Sequence, residues 1–105
     1  MSRNYKLEKL MAGETVVTSE KGNSMVPLIY SGQEHTLAPA GIDSVVVGDI
    51  VYCRVHGRMF THLVKAKKDG QVLIGNNHGH DNGWTSKVFG KVIAVGGVDF
   101  KGAGL

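Results

Sequence analysis

Gly22-Asn23-Ser24-Met25-Val26-Pro27 is the stretch on which the fold of this chain turns. Gly22 opens backbone angles closed to other residues, and a partner's backbone can approach closely there. Pro27 fixes its own φ and pushes Val26 toward an extended conformation. Ser24, held between them, is expected in a defined, non-helical setting. Taken alone, Gly-Asn-Ser also reads as an ordinary turn. A serine hydroxyl stays protonated near neutrality. To act as a nucleophile it needs a base within hydrogen-bond reach and donors for the oxyanion that forms. A base, and the frame that would carry it, must come from the flanking sequence.

Residues 3–11 place Leu7, Leu10 and Met11 at helical spacing, and Ala12-Gly13 ends that short helix. Thr15-Val16-Val17-Thr18 is β-branched and reads as a strand. After Pro27, Leu28-Ile29-Tyr30 forms a small apolar cluster. Residues 32–43 have no clean period and read as a loop anchored by Leu37 and Ile42. Gly48-Asp49 marks a turn or bulge before a core strand that ends at Val55. His56-Gly57 is a hairpin turn, and residues 58–66 return as the partner strand. Asp69-Gly70 supplies the positive φ angles of a second hairpin. Residues 71–75 form the next strand, residues 76–83 a polar loop closed by Trp84, and residues 88–95 a last strand with a glycine bend. The Gly-rich tail, 96–105, is expected to fray. The pattern predicts one domain over residues 1–105 with its core in 14–95. The class is mainly β: a coiled, meandering antiparallel fold, partly closed into a barrel, with a short N-terminal helix.

The totals agree with one modest core. The chain has 105 residues, 42% hydrophobic and 20% charged, which is globular rather than disordered. Its net charge of +3 is spread over scattered lysines. That is an ordinary solvated surface, and nucleic acid is not the expected partner. The single cysteine, Cys53, permits no intramolecular disulfide and lies in an apolar run, as a small buried hydrophobe does. No apolar run approaches the roughly 20 residues that cross a bilayer. The N-terminal residues lack the apolar stretch of a signal peptide. A cytoplasmic, soluble protein is the expectation.

Two bases compete for Ser24. His62 titrates near neutrality and can accept a serine proton. Lys65 could do so if desolvated by its apolar neighbours. Strand alternation puts His62 and Val64 on one face and Thr61, Leu63 and Lys65 on the other, so one of the two faces the serine. The plain alternatives are a half-buried strand histidine bonded to a carbonyl and a solvated edge lysine. Asp81 is the candidate orienting carboxylate, and otherwise a turn aspartate beside Asn82-Gly83. His78-x-His80 lacks further ligands at recognised spacing, so no metal and no cofactor is expected.

Three segments in order resemble the boxes of the signal-peptidase/LexA-like serine protease superfamily. Gly22-Asn23-Ser24-Met25-Val26-Pro27 is similar to its Gly-x-Ser-Met-x-Pro nucleophile box. Val47-Gly48-Asp49-Ile50-Val51 is similar to the Gly-Asp-hydrophobic strand that follows. Thr61-His62-Leu63-Val64, leading to Gly75-Asn76-Asn77, Asp81 and Phe89-Gly90-Lys91-Val92, resembles the archaeal and endoplasmic-reticulum type, in which histidine replaces the bacterial lysine. The resemblance implies Ser24 as nucleophile, His62 as general base and Asp81 as supporting acid. It implies an oxyanion hole that includes the Ser24 N–H, and a wall shaped by Met25 and Pro27. Val51 and Val64 would line an extended groove in which a peptide or protein substrate adds as a strand. The chain departs from the family at Asn76, where an acidic residue is usual, and at Leu63, where a basic one commonly follows the histidine. The residues before Gly22 are too few for the DNA-binding domain of the repressors, and no membrane anchor is expected. Ala12-Gly13 resembles the bond such repressors cut in themselves, although a helix end is the favoured reading. The leading expectation is a small serine peptidase-like protein. The alternative is a non-catalytic peptide- or protein-binding regulator of the same fold, by analogy phage-encoded.

Overall fold

In the computed structural model residues 4–104 are described; Arg3, the first residue of the expected helix, and the terminal Leu105 lie outside them. Helix α1 (Tyr5–Met11) starts at Asn4, whose Oδ1 accepts the Leu7 N–H at 3.0 Å and so satisfies an orphan donor of the first turn. It ends at Gly13, with φ 84°. The Gly13 N–H bonds Leu10 O and the Glu14 N–H bonds Lys9 O, the paired bonds of a glycine-terminated helix. Ala12-Gly13 is thus a helix cap rather than an extended, cleavable strand. Leu10 packs down onto Gly90, where an added Cβ would meet its two methyls at 3.0 and 3.2 Å. The glycine in the last long strand is the seat of the helix.

Among the described residues eight strands follow: β1 (Val16–Thr18), β2 (His35–Pro39), β3 (Ile50–Val55), β4 (Arg58–Lys68), β5 (Gln71–Gly75), β6 (Asp81–Thr85), β7 (Val88–Val95) and β8 (Val98–Asp99). The sheet order is β1-β2-β7-β3-β4-β5-β6, with β8 hooked onto β7, and these pairings are antiparallel. Strands β3 to β6 meander, and β7 returns beside β3 as in a Greek key. Both predicted hairpin turns form. His56 and Gly57 have φ of 51° and 79°, and Asp69 and Gly70 have φ of 51° and 73°, the doubly positive geometry that suits twisted strands.

The ladder is open, with β1 and β6 at its ends. The expected partial barrel closure is replaced by a curl: Thr85 Oγ1 donates to Arg54 O at 2.6 Å, and the Arg54 N–H donates to Lys87 O at 2.9 Å. These bonds draw the end of β6 back toward β3 without joining the ladder.

Two stretches expected to be loops contain strands. Strand β2, within residues 32–43, lies between β1 and β7, with His35 and Leu37 facing inward. An inward histidine and a terminal proline disguise its period of two. Strand β6 is built from Asp-Asn-Gly, residues poorly suited to strands. Pairing with β5 overrides that preference, through Leu73↔Trp84, Ile74↔Gly83 and Gly75↔Asp81. The Gly-rich tail is fastened: the Phe100 N–H bonds Ile93 O at 2.9 Å and the Ala103 N–H bonds Gly48 O at 2.8 Å.

Strand β3 is buried on both faces. Ile50 and Tyr52 join one core with Leu10, Leu37, Leu63 and Val92. Val51, Cys53 and Val55 join the other with Val45, Val64, Val72 and Ile74. Burial pushes the Cys53 thiol up to about 12, and its Sγ lies 3.7 Å from Phe60 O, so Cys53 acts as a small core hydrophobe. Among the described residues no helix is long and apolar enough to cross a membrane.

Candidate active site

Ser24 sits between β1 and β2 in a tight segment. The Val26 N–H bonds Asn23 O, and the Leu28 and Ile29 N–H groups both bond Met25 O. Gly22, at φ 119°, takes a backbone conformation that side chains disfavour, and the Val26–Pro27 peptide is cis. The loop between β5 and β6 grips this segment. The Asn77 N–H donates to Ser24 O at 2.8 Å, Asn77 Nδ2 to Val26 O at 3.0 Å, and His78 Nε2 to Asn23 O at 2.9 Å. Asn76 shapes the loop from within, its Oδ1 accepting the N–H groups of His78 and His80. Each grip falls on a backbone carbonyl, and the Ser24 N–H is left to donate: among the described residues it has no acceptor.

His62, on β4, meets the serine. Its Nε2 lies 3.1 Å from Ser24 Oγ, and its Nδ1 lies 2.7 Å from Asn82 Oδ1. An amide oxygen can only accept, so Nδ1 carries the proton and Nε2 presents a lone pair to the serine hydroxyl. The Phe60 ring packs 5.1 Å from the imidazole, centroid to centroid, on the same strand. His62 titrates below its ordinary 6.5. Burial is the main cause and the His80 charge adds to it, while the Asn82 bond and the Glu20 carboxylate act upward.

Asp81, the expected orienting acid, is not the residue that holds the imidazole; Asn82 is. The β5–β6 register skips between Ile74 and Gly75, which leaves Asn82 as the extra residue of a bulge, and its amide reaches His62. The Asp81 carboxylate lies over Gly75 instead, where an added Cβ would be 2.8 Å from its Oδ1 and 3.1 Å from Lys65 Cε. Lys65, the alternative base, thus sits in that second setting and does not line the space beside Ser24. Nothing in the spacing of Asp81-Asn82 tells which of the two turns toward the histidine.

Glu20 is a further residue beside the site, one that no sequence motif marks. Its Oε1 accepts from Lys6 Nζ at 2.7 Å and from Thr61 Oγ1 at 2.8 Å, next to His62. Burial alone would raise its carboxyl. The bonds from Lys6 and Thr61, with the charge of Lys6 and that of His35 when its ring is protonated, outweigh that and hold it below 4.5. Two residues before Gly22, in what reads as a turn, its role carries no sequence signal.

A cavity of about 360 Å³ opens beside the dyad, and its walls include Met25, Ile29, Tyr52 and Met59. Pro27 is exposed and outside this lining, so of the two expected wall residues Met25 alone contributes. Val51 and Val64 are fully buried in the second core and line no groove. Four consecutive residues, Met59 to His62, border the cavity, which therefore runs along the edge of β4 rather than over one face. That edge is open, because β5 pairs with β4 only from Leu63 onward. Among the described residues no three His, Cys, Asp or Glu side chains converge to hold a metal ion. No protein-family model matches the chain, and no curated protein matches it in sequence.

Proposed function

We propose that this chain is a small serine peptidase of the signal-peptidase/LexA-like type, with Ser24 as nucleophile, His62 as general base and Asn82 as the residue that orients the base. The observation that carries the reading is the 3.1 Å contact from Ser24 Oγ to an imidazole nitrogen left unprotonated by its partner Asn82. A peptide adds as a strand along the open edge of β4, where one side of the ladder still offers N–H and C=O groups. Ser24 Oγ attacks the carbonyl carbon as its proton passes to His62 Nε2. The Ser24 N–H donates to the oxyanion. The C–N bond then breaks, and the amine leaves with the proton from Nε2. Water attacks the resulting ester, again giving its proton to Nε2, and the C–O bond to Ser24 breaks as that proton returns to Oγ.

The test is labelling of the purified chain by a small fluorophosphonate, read by intact mass. Wild type gains one adduct. Ser24→Ala gains none, and His62→Ala labels about a hundredfold more slowly or worse, the usual contribution of a general base. Equal labelling of wild type and Ser24→Ala overturns the reading.

A further inference from the structure

The cavity beside Ser24 ends in a polar group that the peptidase chemistry does not use. His35 lines it and is 2% exposed. Its Nδ1 lies 3.2 Å from Gln33 O, which can only accept, so in the neutral ring Nδ1 carries the proton and Nε2 is an acceptor. That Nε2 is the buried side-chain atom without a partner among the described residues. A buried polar atom left unpaired is costly, and its absence of a partner marks a place where a donor belongs. Glu20 lines the same cavity, close enough to His35 for the two to interact electrostatically. Both of its side-chain bonds fall on Oε1, so Oε2 is a second acceptor without a partner among the described residues.

Charge decides what these acceptors suit. Glu20 brings one negative charge to the lining, while Lys6 and Lys21 bring two positive ones. Lys6 already lies against Glu20 and over the Tyr52 ring, at 4.8 Å from its centroid. A cationic side chain would meet both ammonium groups. An anionic one would meet the Glu20 carboxylate and the His35 lone pair. An uncharged amide avoids both conflicts: its NH₂ offers donors to His35 and Glu20, and its oxygen accepts from the lysines. The walls of Met25, Ile29, Tyr52 and Met59 suit the short apolar stem that carries such a group.

We propose that this cavity is the subsite for the substrate residue next to the cleaved bond, and that it selects an uncharged amide side chain, glutamine above all, through His35 and Glu20. The proposal rests on the peptidase reading of Ser24 and His62.

The experiment uses peptidyl diphenyl phosphonates that differ only in the side chain beside phosphorus: glutamine, methionine, alanine, lysine or glutamate. Ser24 Oγ forms a bond to phosphorus, a phenoxide leaves, and the serine proton passes through His62 Nε2 to that phenoxide, which departs as phenol. The rate of adduct formation is read for each. The glutamine analogue is expected to react about tenfold faster than the methionine analogue, the factor set by hydrogen bonds left unmade in a buried site. His35→Leu and Glu20→Ala are each expected to reduce that ratio to about threefold or less. If His35→Leu does not fold, Glu20→Ala alone decides. A fastest rate for alanine, methionine, lysine or glutamate overturns the proposal, as does a ratio unchanged in the folded variants. Labelling by the small fluorophosphonate separates the two failures. If it modifies Ser24 while the side-chain ranking is flat, only the subsite falls. If no reagent modifies Ser24, the peptidase reading falls and takes the subsite with it.

Discussion

At His62 the proposed chemistry depends on a neutral partner. Asn82 fixes the tautomer and ring orientation, as a carboxylate would, but adds no charge to stabilise an imidazolium. The carboxylate that acts on His62 through space is Glu20, and burial outweighs it, so the imidazole stays unprotonated to lower pH than usual. The acid limb of Ser24 labelling should therefore have its midpoint below 6.5, the ordinary histidine value. Glu20→Gln removes an upward influence and should move the midpoint lower still. Asn82→Asp supplies a charge in contact with Nδ1, so its midpoint should rise above that of wild type, with faster labelling on the alkaline side. A pH series of adduct formation checks all three, and a midpoint above 6.5 in wild type would contradict the burial of this ring. Asn82→Ala should slow labelling on the order of tenfold to a hundredfold, because the imidazole loses its tautomer and its aim. Ser24, His62 and Met25 stand out in the sequence because they fall in segments that resemble the boxes of a known superfamily, and the fold brings the three to one cavity. Asn82 does not, because a bulge decides which of two neighbours turns inward, and a register skip leaves no mark on composition.

The element that assembles the site is the β5–β6 hairpin. One end of its loop grips the serine segment through Asn77 and His78, and the strand that follows presents Asn82 to the base. Gly75 lets the hairpin close. A Cβ there would lie 2.6 Å from His80 O, a backbone atom that cannot swing aside. Gly75→Ala should push the start of β6 away from β5 and pull Asn82 off His62. Labelling of Ser24 should fall about tenfold while the chain stays folded, with the His62 pH midpoint shifting downward as the Asn82 bond is lost. Unchanged labelling would show that the loop gives without cost to the base. The hairpin also marks the limit of reading elements from sequence. The His56-Gly57 and Asp69-Gly70 turns were legible because positive φ has few suitable residues. Strands β2 and β6 were not. Their pairing is long-range, and their residues, His-Thr-Leu-Ala-Pro and Asp-Asn-Gly-Trp-Thr, include one β-branched side chain each, where β1, β3 and β7 carry several.

The whole molecule is a curled sheet with a core on each face of β3, and the site lies where Ser24 meets His62 of β4. Leu37, with no exposure, anchors the first core from β2, and Leu37→Ala should cost about 2–5 kcal/mol in urea unfolding. The antiparallel class was legible in the short apolar runs and glycine turns, whereas the open ladder was not, because closure depends on twist and on edge bonds such as Thr85 to Arg54. Glu20 joins three parts of this architecture: Lys6 of α1, Thr61 of β4, and the Gly32 N–H at the far end of the serine segment, which donates to its carbonyl. Its carboxyl is held below 4.5 in the folded chain, so its stabilising contribution is present above that value and fades as pH falls through the folded value. His62 acts with the same sign at higher pH. Its folded value is depressed, so as pH drops past 6.5 the unfolded chain takes up the proton first and the folded state loses ground. Urea midpoints measured from about pH 8 to about pH 3 should therefore fall in two stages. His62→Gln should flatten the first stage and leave the second, and Glu20→Gln should flatten the second. A wild-type midpoint that holds level from neutrality to the carboxylate range would mean that His62 protonates as readily folded as unfolded, and would overturn the downward shift that its burial beside Phe60, Ser24 and Asn82 implies.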